Sequence, residues 1–137
     1  MTELLVEWND RLSVCIEEID DQHKKLVGII NQLYQAFKAG TASEQLNQIV
    51  EQMYDYTDYH FETEEKYFRK FGYEDSEEHT KEHKAFLKKA LEFKRDQRNG
   101  KVTAPYEVML FLKNWLINHI MGSDQKYAEL FKMNGLK

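Results

Sequence analysis

Cysteine and proline occur once each in 137 residues, and glycine only six times. The lone thiol, Cys15, excludes an internal disulfide and reads as a small apolar filler in a reducing compartment. So little proline and glycine excludes the turn-rich all-β classes. No apolar run approaches the ~20 residues that a membrane span needs. The N-terminus lacks the basic-then-apolar order of a signal peptide, so a cytoplasmic location is expected. Basic excess is lacking too. The net charge is -5, and without a basic stripe nucleic acid is not an expected partner. There is no internal repeat, no low-complexity tract and no linker, so one domain over residues 1–137 is expected.

What is present is charge, at 31%, and aromatic residues, at 13%, a mixture that suits a compact helical protein with a solvated exterior. Residues 1 to 17 carry no sustained period and read as an irregular arm that packs through Trp8. Asp20 or Asp21 is then expected to cap a first helix. Its apolar stripe runs Ile19, His23, Leu26, Ile30, Leu33, Phe37, in alternating steps of four and three. Gly40 ends it. Ser43 opens a second helix, whose stripe is Leu46, Ile49, Met53, Tyr56, His60, Glu64, Tyr67, Phe71, with Gly72 at its end. Asp75 or Ser76 starts a third, with Glu77 and Glu78 at its positive dipole end. That stripe is His79, His83, Phe86, Ala90, Phe93, closed by Asn99-Gly100. Pro105 suits the first position of a fourth helix, which carries Val108, Leu112, Trp115 and His119. Gly122 interrupts it before a short C-terminal segment with Tyr127, Leu130 and Phe131.

Short connections between successive helices imply antiparallel neighbours. The expected fold is therefore all-α: an up-down-up-down four-helix bundle with an irregular N-terminal arm and a short C-terminal helical segment. All five histidines sit on the bundle-facing stripes, where leucine is usual, and so does Glu64. Counted from each connection at ~1.5 Å per residue, His23, His60, Glu64, His79, His83, His119 and Asp124 agree in height to within about one helical turn. Asp124 is the awkward member. Five residues of regular α-helix turn it about 140° from His119, so it faces inward only if the helix loosens at Gly122-Ser123, as in a π-type turn. Glu62 and Glu65 point off the stripe and are expected in solvent. Phe61, Trp115, Tyr56 and Tyr67 read as core.

A lone histidine on an apolar face is ordinarily a satisfied core residue. Five imidazoles and two carboxylates in one layer are different, because burying them unpaired costs several kcal/mol. Metal ions remove that cost. A nitrogen-rich donor set suits iron or zinc over magnesium or calcium. The absence of thiolates, with more donors than one tetrahedral zinc takes, argues against a structural zinc. Two six-coordinate irons present twelve positions. Five histidines, two bridging carboxylates and a bridging hydroxide or oxide fill eleven, leaving one open for a small diatomic ligand such as O2. Bundle di-iron enzymes use four carboxylates with Glu-x-x-His motifs, and no histidine here has a Glu three positions before it. A histidine-rich site favours Fe(II) and reversible chemistry over oxidase or peroxidase chemistry.

The stretches Trp8-Asn9-Asp10, Ile19-Asp20-Asp21-Gln22-His23-Lys24, His60-Phe61-Glu62-Thr63-Glu64-Glu65, His79 to His83 and Trp115 to Asp124 together resemble the hemerythrins, in particular the bacterial single-domain kind. The resemblance spans nearly the whole chain. It implies a non-haem di-iron site that binds O2 reversibly, in a carrier, storage or delivery protein and not an enzyme. By position, His79, His83 and His119 would hold the coordinatively full iron, and His23 and His60 the iron with the vacancy. Glu64 and Asp124 would bridge the two. Leu26, Phe61, Trp115 and Ile120 match positions near the O2 pocket. An O2-sensing module is the alternative in a different class, although no segment of these residues is left over to transmit a signal.

Overall fold

The computed structural model describes residues 4–99 and 105–137, without the side chains of residues 97 and 98. Four helices, α1 (Glu17–Lys38), α2 (Ala42–Phe71), α3 (Ser76–Arg98) and α4 (Pro105–Asn118), form an antiparallel four-helix bundle. A π-helical turn, His119–Ser123, joins α4 to a short α5 (Asp124–Met133). Among the described residues there is no strand, and no helix is long and apolar enough to cross a membrane. α2 packs against α1 and α3, and α4 against α1. Phe86 and Phe93 of α3 meet Phe111 and Trp115 of α4, which closes the ring of four.

The stripes are buried largely as their spacing dictates. Ile19, His23, Leu26, Ile30 and Leu33 line the inside of α1, and His79, His83, Phe86, Ala90 and Phe93 that of α3. Phe37 departs from the pattern. It lies 42% exposed in the last turn of α1, where its ring meets that of Tyr106. Gly72 ends α2 in the left-handed region at φ 68°. The Tyr73 amide reaches back to the Phe68 carbonyl at 3.1 Å, and the two rings pack at 5.1 Å. This C-terminal motif fixes Phe68 against the core. Pro105 opens α4 as expected. Of the expected Asn99-Gly100 stop to α3, Asn99 follows the helix end at Arg98, and Gly100 lies outside the described residues.

The start of α1 corrects the sequence reading. The helix begins at Glu17, ahead of Asp20 and Asp21, and Ile16 before it makes no side-chain cap. Asp20 instead sits in the first turn and reaches back, accepting from the Val14 amide at 2.8 Å and the Ser13 hydroxyl at 2.5 Å. It ties the arm to the helix. Asn31 ties it a second time, accepting from the Leu5 and Val6 amides and donating to the Val6 carbonyl. Each such bond is worth about 0.5–1.5 kcal/mol. Val6, Leu12, Val14 and Ile16 are buried through these ties. Cys15 is not the apolar filler expected of it. It is exposed, at φ 60°, on a bend between two buried neighbours. α2 likewise begins at Ala42, one residue before Ser43, and its N-terminal neighbour Thr41 makes no side-chain cap.

The apolar interior falls into two parts. One contains Leu26, Met53, Phe61, Phe86, Leu112 and Ile120. The other contains Ile19, Tyr67, Phe68, Tyr127 and Phe131. A layer of polar side chains meets both parts.

Candidate metal centre

All seven polar stripe residues come together. His23 enters from α1, His60 and Glu64 from α2, His79 and His83 from α3, His119 from the π turn and Asp124 from the start of α5. Each is less than 5% exposed. The π turn is what admits Asp124. Its amide donates to the His119 carbonyl, five residues back, where an α-helix would close after four. That extra residue rotates the carboxylate onto the side of His119, as the spacing requires. Gly122 has open space where a Cβ would stand, so the turn does not depend on its lacking a side chain.

The donor atoms form two groups, within each of which all atoms lie within 4.8 Å of one another. One is Glu64, His79, His83 and His119, and the other is His23, His60, Glu64 and Asp124. Glu64 belongs to both. Its Oε1 lies 3.1 Å from His60 Nε2 and 3.3 Å from His83 Nε2. Asp124 reaches across in the same way. Its Oδ2 lies 3.0 Å from His23 Nε2, and its Oδ1 lies 3.0 Å from His79 Nε2 and 3.1 Å from His119 Nε2. These approaches are not aligned as hydrogen bonds. The Nε2 atoms of His23, His79, His83 and His119 and all four carboxylate oxygens have no hydrogen-bond partner. Buried polar atoms are nearly always paired. So many orphaned lone pairs converging on two points are the arrangement that two cations would satisfy.

Protonation in the metal-free layer follows from crowding. Burial and the neighbouring Asp124 charge push Glu64 up, but the nearby His60 and His83 outweigh them and hold it far below the usual carboxylate range. Asp124 is held down in the same way, its burial outweighed by His119, His23 and His79. Burial depresses His60 below its ordinary value. It would depress His119 as well, but Asp124 raises that imidazole to about 9.

Three outward ring nitrogens have partners that the sequence reading missed. His60 Nδ1 meets Gln22 Oε1 at 2.6 Å, and Gln22 in turn donates to Thr63. His83 Nδ1 meets Glu65 Oε2 at 2.9 Å, and His119 Nδ1 meets Glu82 Oε1 at 3.3 Å. Glu65 is therefore not simply solvated as expected, whereas Glu62 is exposed. An acceptor on Nδ1–H leaves Nε2 as the lone pair facing inward, the arrangement typical of metal-ligating histidines. Tyr127 was read only as part of the last segment. It is fully buried beside His79, its hydroxyl has no hydrogen-bond partner, and burial raises its pKa well above the ordinary value.

Aromatic rings brace the imidazoles. Phe61 stacks on His83 at 3.7 Å between ring centres and lies 5.9 Å from His60. Trp115, half-buried, stacks on His119 at 4.4 Å. Phe68 meets His79 edge-on at 4.8 Å. Leu26, Phe61 and Ile120 are buried in one apolar cluster, with Trp115 packed against it.

A helical bundle with a buried histidine–carboxylate layer defines a class, that of bundle proteins built to hold metal in their core. Comparison with known proteins narrows it. The model of the hemerythrin HHE cation binding domain matches residues 14–131, and the chain belongs to this family. It is 31% identical over 128 residues to a bacteriohemerythrin of Stenotrophomonas maltophilia, covering 93% of this chain and 82% of that protein. It is 34% identical over 122 residues to a bacteriohemerythrin of Pseudomonas aeruginosa, covering 89% and 78%. A hemerythrin-like protein of Naegleria gruberi is 33% identical over 120 residues, covering 88% of each chain. Among solved structures, a wild-type hemerythrin superposes with a TM-score of 0.85 at 25% identity, covering 92% of this chain and 97% of that one.

Proposed function

We propose that this chain binds O2 reversibly at two irons, as a carrier, store or delivery protein and not as an enzyme. His79, His83 and His119 would hold one iron, His23 and His60 the other, and Glu64 and Asp124 would bridge them. The observation that supports this most directly is the set of buried imidazole nitrogens and carboxylate oxygens without hydrogen-bond partners, gathered in two groups that share Glu64. When bound, the irons would supply reducible centres with room for a small diatomic ligand. The chain does the rest. Gln22, Glu65 and Glu82 accept from the outer ring nitrogens and so aim the inner ones. Leu26, Phe61, Trp115 and Ile120 form an apolar wall, which keeps out water and the protons it delivers.

In this reading the open position lies on the side of His23 and His60, which bring two imidazoles where the other group brings three. Two carboxylates, where bundle di-iron oxidases use four, favour Fe(II) and reversible binding. The test is anaerobic Fe(II) loading followed by optical spectra through cycles of O2 and argon. Reversible bands with two irons per chain are expected. A spectrum that changes once and never returns would favour an oxidase or peroxidase.

A further inference from the structure

His119 and Ser123 are the first and last residues of the π turn, and a single side chain grips both. Glu82 Oε1 lies 3.3 Å from His119 Nδ1, and the Ser123 hydroxyl donates to Glu82 Oε1 at 2.7 Å and Oε2 at 2.9 Å. Glu82 stands on α3, and the turn follows α4, so the grip crosses between helices. π-turns are rare, and the competing state is continued α-helix, which would swing Asp124 about 140° out of the layer. An external tie that spans the turn tips that balance. Gly122 is sterically free and Asn118 before the turn makes no cap, and the Gln125 side chain, which donates to the Ile120 carbonyl at 3.1 Å, holds the middle of the turn without reaching either of its ends.

From this geometry we infer that Glu82 is a positioning residue, which clamps the π turn to α3 and thereby aims His119 and brings Asp124 into the layer. It belongs to neither of the two donor groups. Its effect runs through the His119 ring, whose Nδ1–H it accepts, and through the Ser123 hydroxyl. At 45% side-chain exposure, Glu82 is replaceable without opening the core. For the metal-loaded protein the inference rests on the proposed function. For the metal-free protein it stands alone.

The experiment compares the parent with Glu82→Ala, Glu82→Gln and Ser123→Ala. In metal-free protein, amide hydrogen exchange is read at Asp124, with the middle of α2 as internal control. Exchange at Asp124 should quicken by about tenfold or more in Glu82→Ala, as expected for losing charge-assisted hydrogen bonds, and also in Ser123→Ala, with α2 unchanged. Co(II) titration of the same proteins should show weakening of about 10–100-fold in Glu82→Ala. Both sites should weaken, since His119 belongs to one donor group and Asp124 to the other. Glu82→Gln should restore most of both readouts, because its amide oxygen still accepts.

Parent-like exchange and parent-like Co(II) affinity in Glu82→Ala would overturn the inference. So would exchange that quickens in the middle of α2 as much as at Asp124, which marks a general loss of structure. Should the alanine variant fail to fold, Ser123→Ala reads the same tie with the carboxylate kept, and parent-like exchange there overturns the clamp. A parent that binds fewer than two Co(II) removes the proposed function and leaves the exchange measurement standing.

Discussion

Stripping the metal should make stability fall as the solution becomes alkaline, and His119 sets the size of the effect. Its imidazole is raised from an ordinary 6.5 to about 9, burial lowering it and the adjacent Asp124 outweighing burial. A folded-state value above the unfolded one means that the folded protein holds the proton more tightly. The resulting stability is complete below pH 6.5 and is lost as pH rises toward 9. The difference corresponds to about 3 kcal/mol. For a chain of this size that is a fall in Tm of roughly 10 °C. His83 is also raised, burial again lowering it and Glu64 and Glu65 prevailing, so it adds in the same direction. In acid the order reverses. Glu64 and Asp124 are held low, so their contribution is present above the ordinary carboxylate range and lost as pH falls below it. Metal changes the alkaline limb, because ligation requires neutral imidazoles and expels their protons. The assay is thermal unfolding of chelator-treated and iron-loaded protein, followed by circular dichroism across this range. The metal-free Tm should drop while the gap to the loaded form widens. A metal-free Tm that is flat from pH 6.5 to 9 would refute the assignment of a protonated His119 paired with Asp124.

Replacing His83 by Ala removes one donor and the ring that Phe61 stacks on, so iron content measured by elemental analysis should fall below two per chain; parent-level iron would count against His83 as a ligand. Gly72→Ala meets no neighbouring atom within 4 Å but must hold φ at 68°, so denaturant unfolding should show a loss of about 1 kcal/mol with iron content unchanged. Leu26→Asn puts a polar group into the fully buried apolar wall, and the oxygen-loaded protein should autoxidise faster at equal iron content; equal rates would make Leu26 core and nothing more.

The bundle and its polar layer were legible because both follow from the period of single helices. A histidine that takes a leucine's place at a step of three or four must face inward, and short connections set its height. The π turn was legible for the same reason, since Asp124 could reach His119 only by breaking the period. What escaped was whatever depends on reach between elements. Asp20 looks like a helix cap by residue type, yet its carboxylate serves the arm at Ser13 and Val14. Cys15 looks apolar, but burying Val14 and Ile16 on either side turns it outward. Phe37 continues the stripe of α1, but it lies in the last turn of the helix and stays exposed.

The missed acceptors follow a rule that period alone does not express. Gln22 adjoins His23, Glu65 adjoins Glu64, and Glu82 adjoins His83. Each stands about 100° round its own helix from a side chain in the layer, and so faces the next helix. Gln22 of α1 serves His60 of α2, Glu65 of α2 serves His83 of α3, and Glu82 of α3 serves His119 beyond α4. A polar residue directly beside an inward ligand is the signal that finds them. The chain of supports runs once around the bundle and stops, for His23 Nδ1 has no hydrogen-bond partner. His83 and His119, in the three-histidine group, are each held by a carboxylate, while the two-histidine group has one amide for its pair. Carboxylate acceptors increase the donor strength of the imidazole behind them. The better-braced group is thus the one assigned the coordinatively full iron. The group with fewer supports, where a ring has more freedom to adjust, is the one assigned the vacancy.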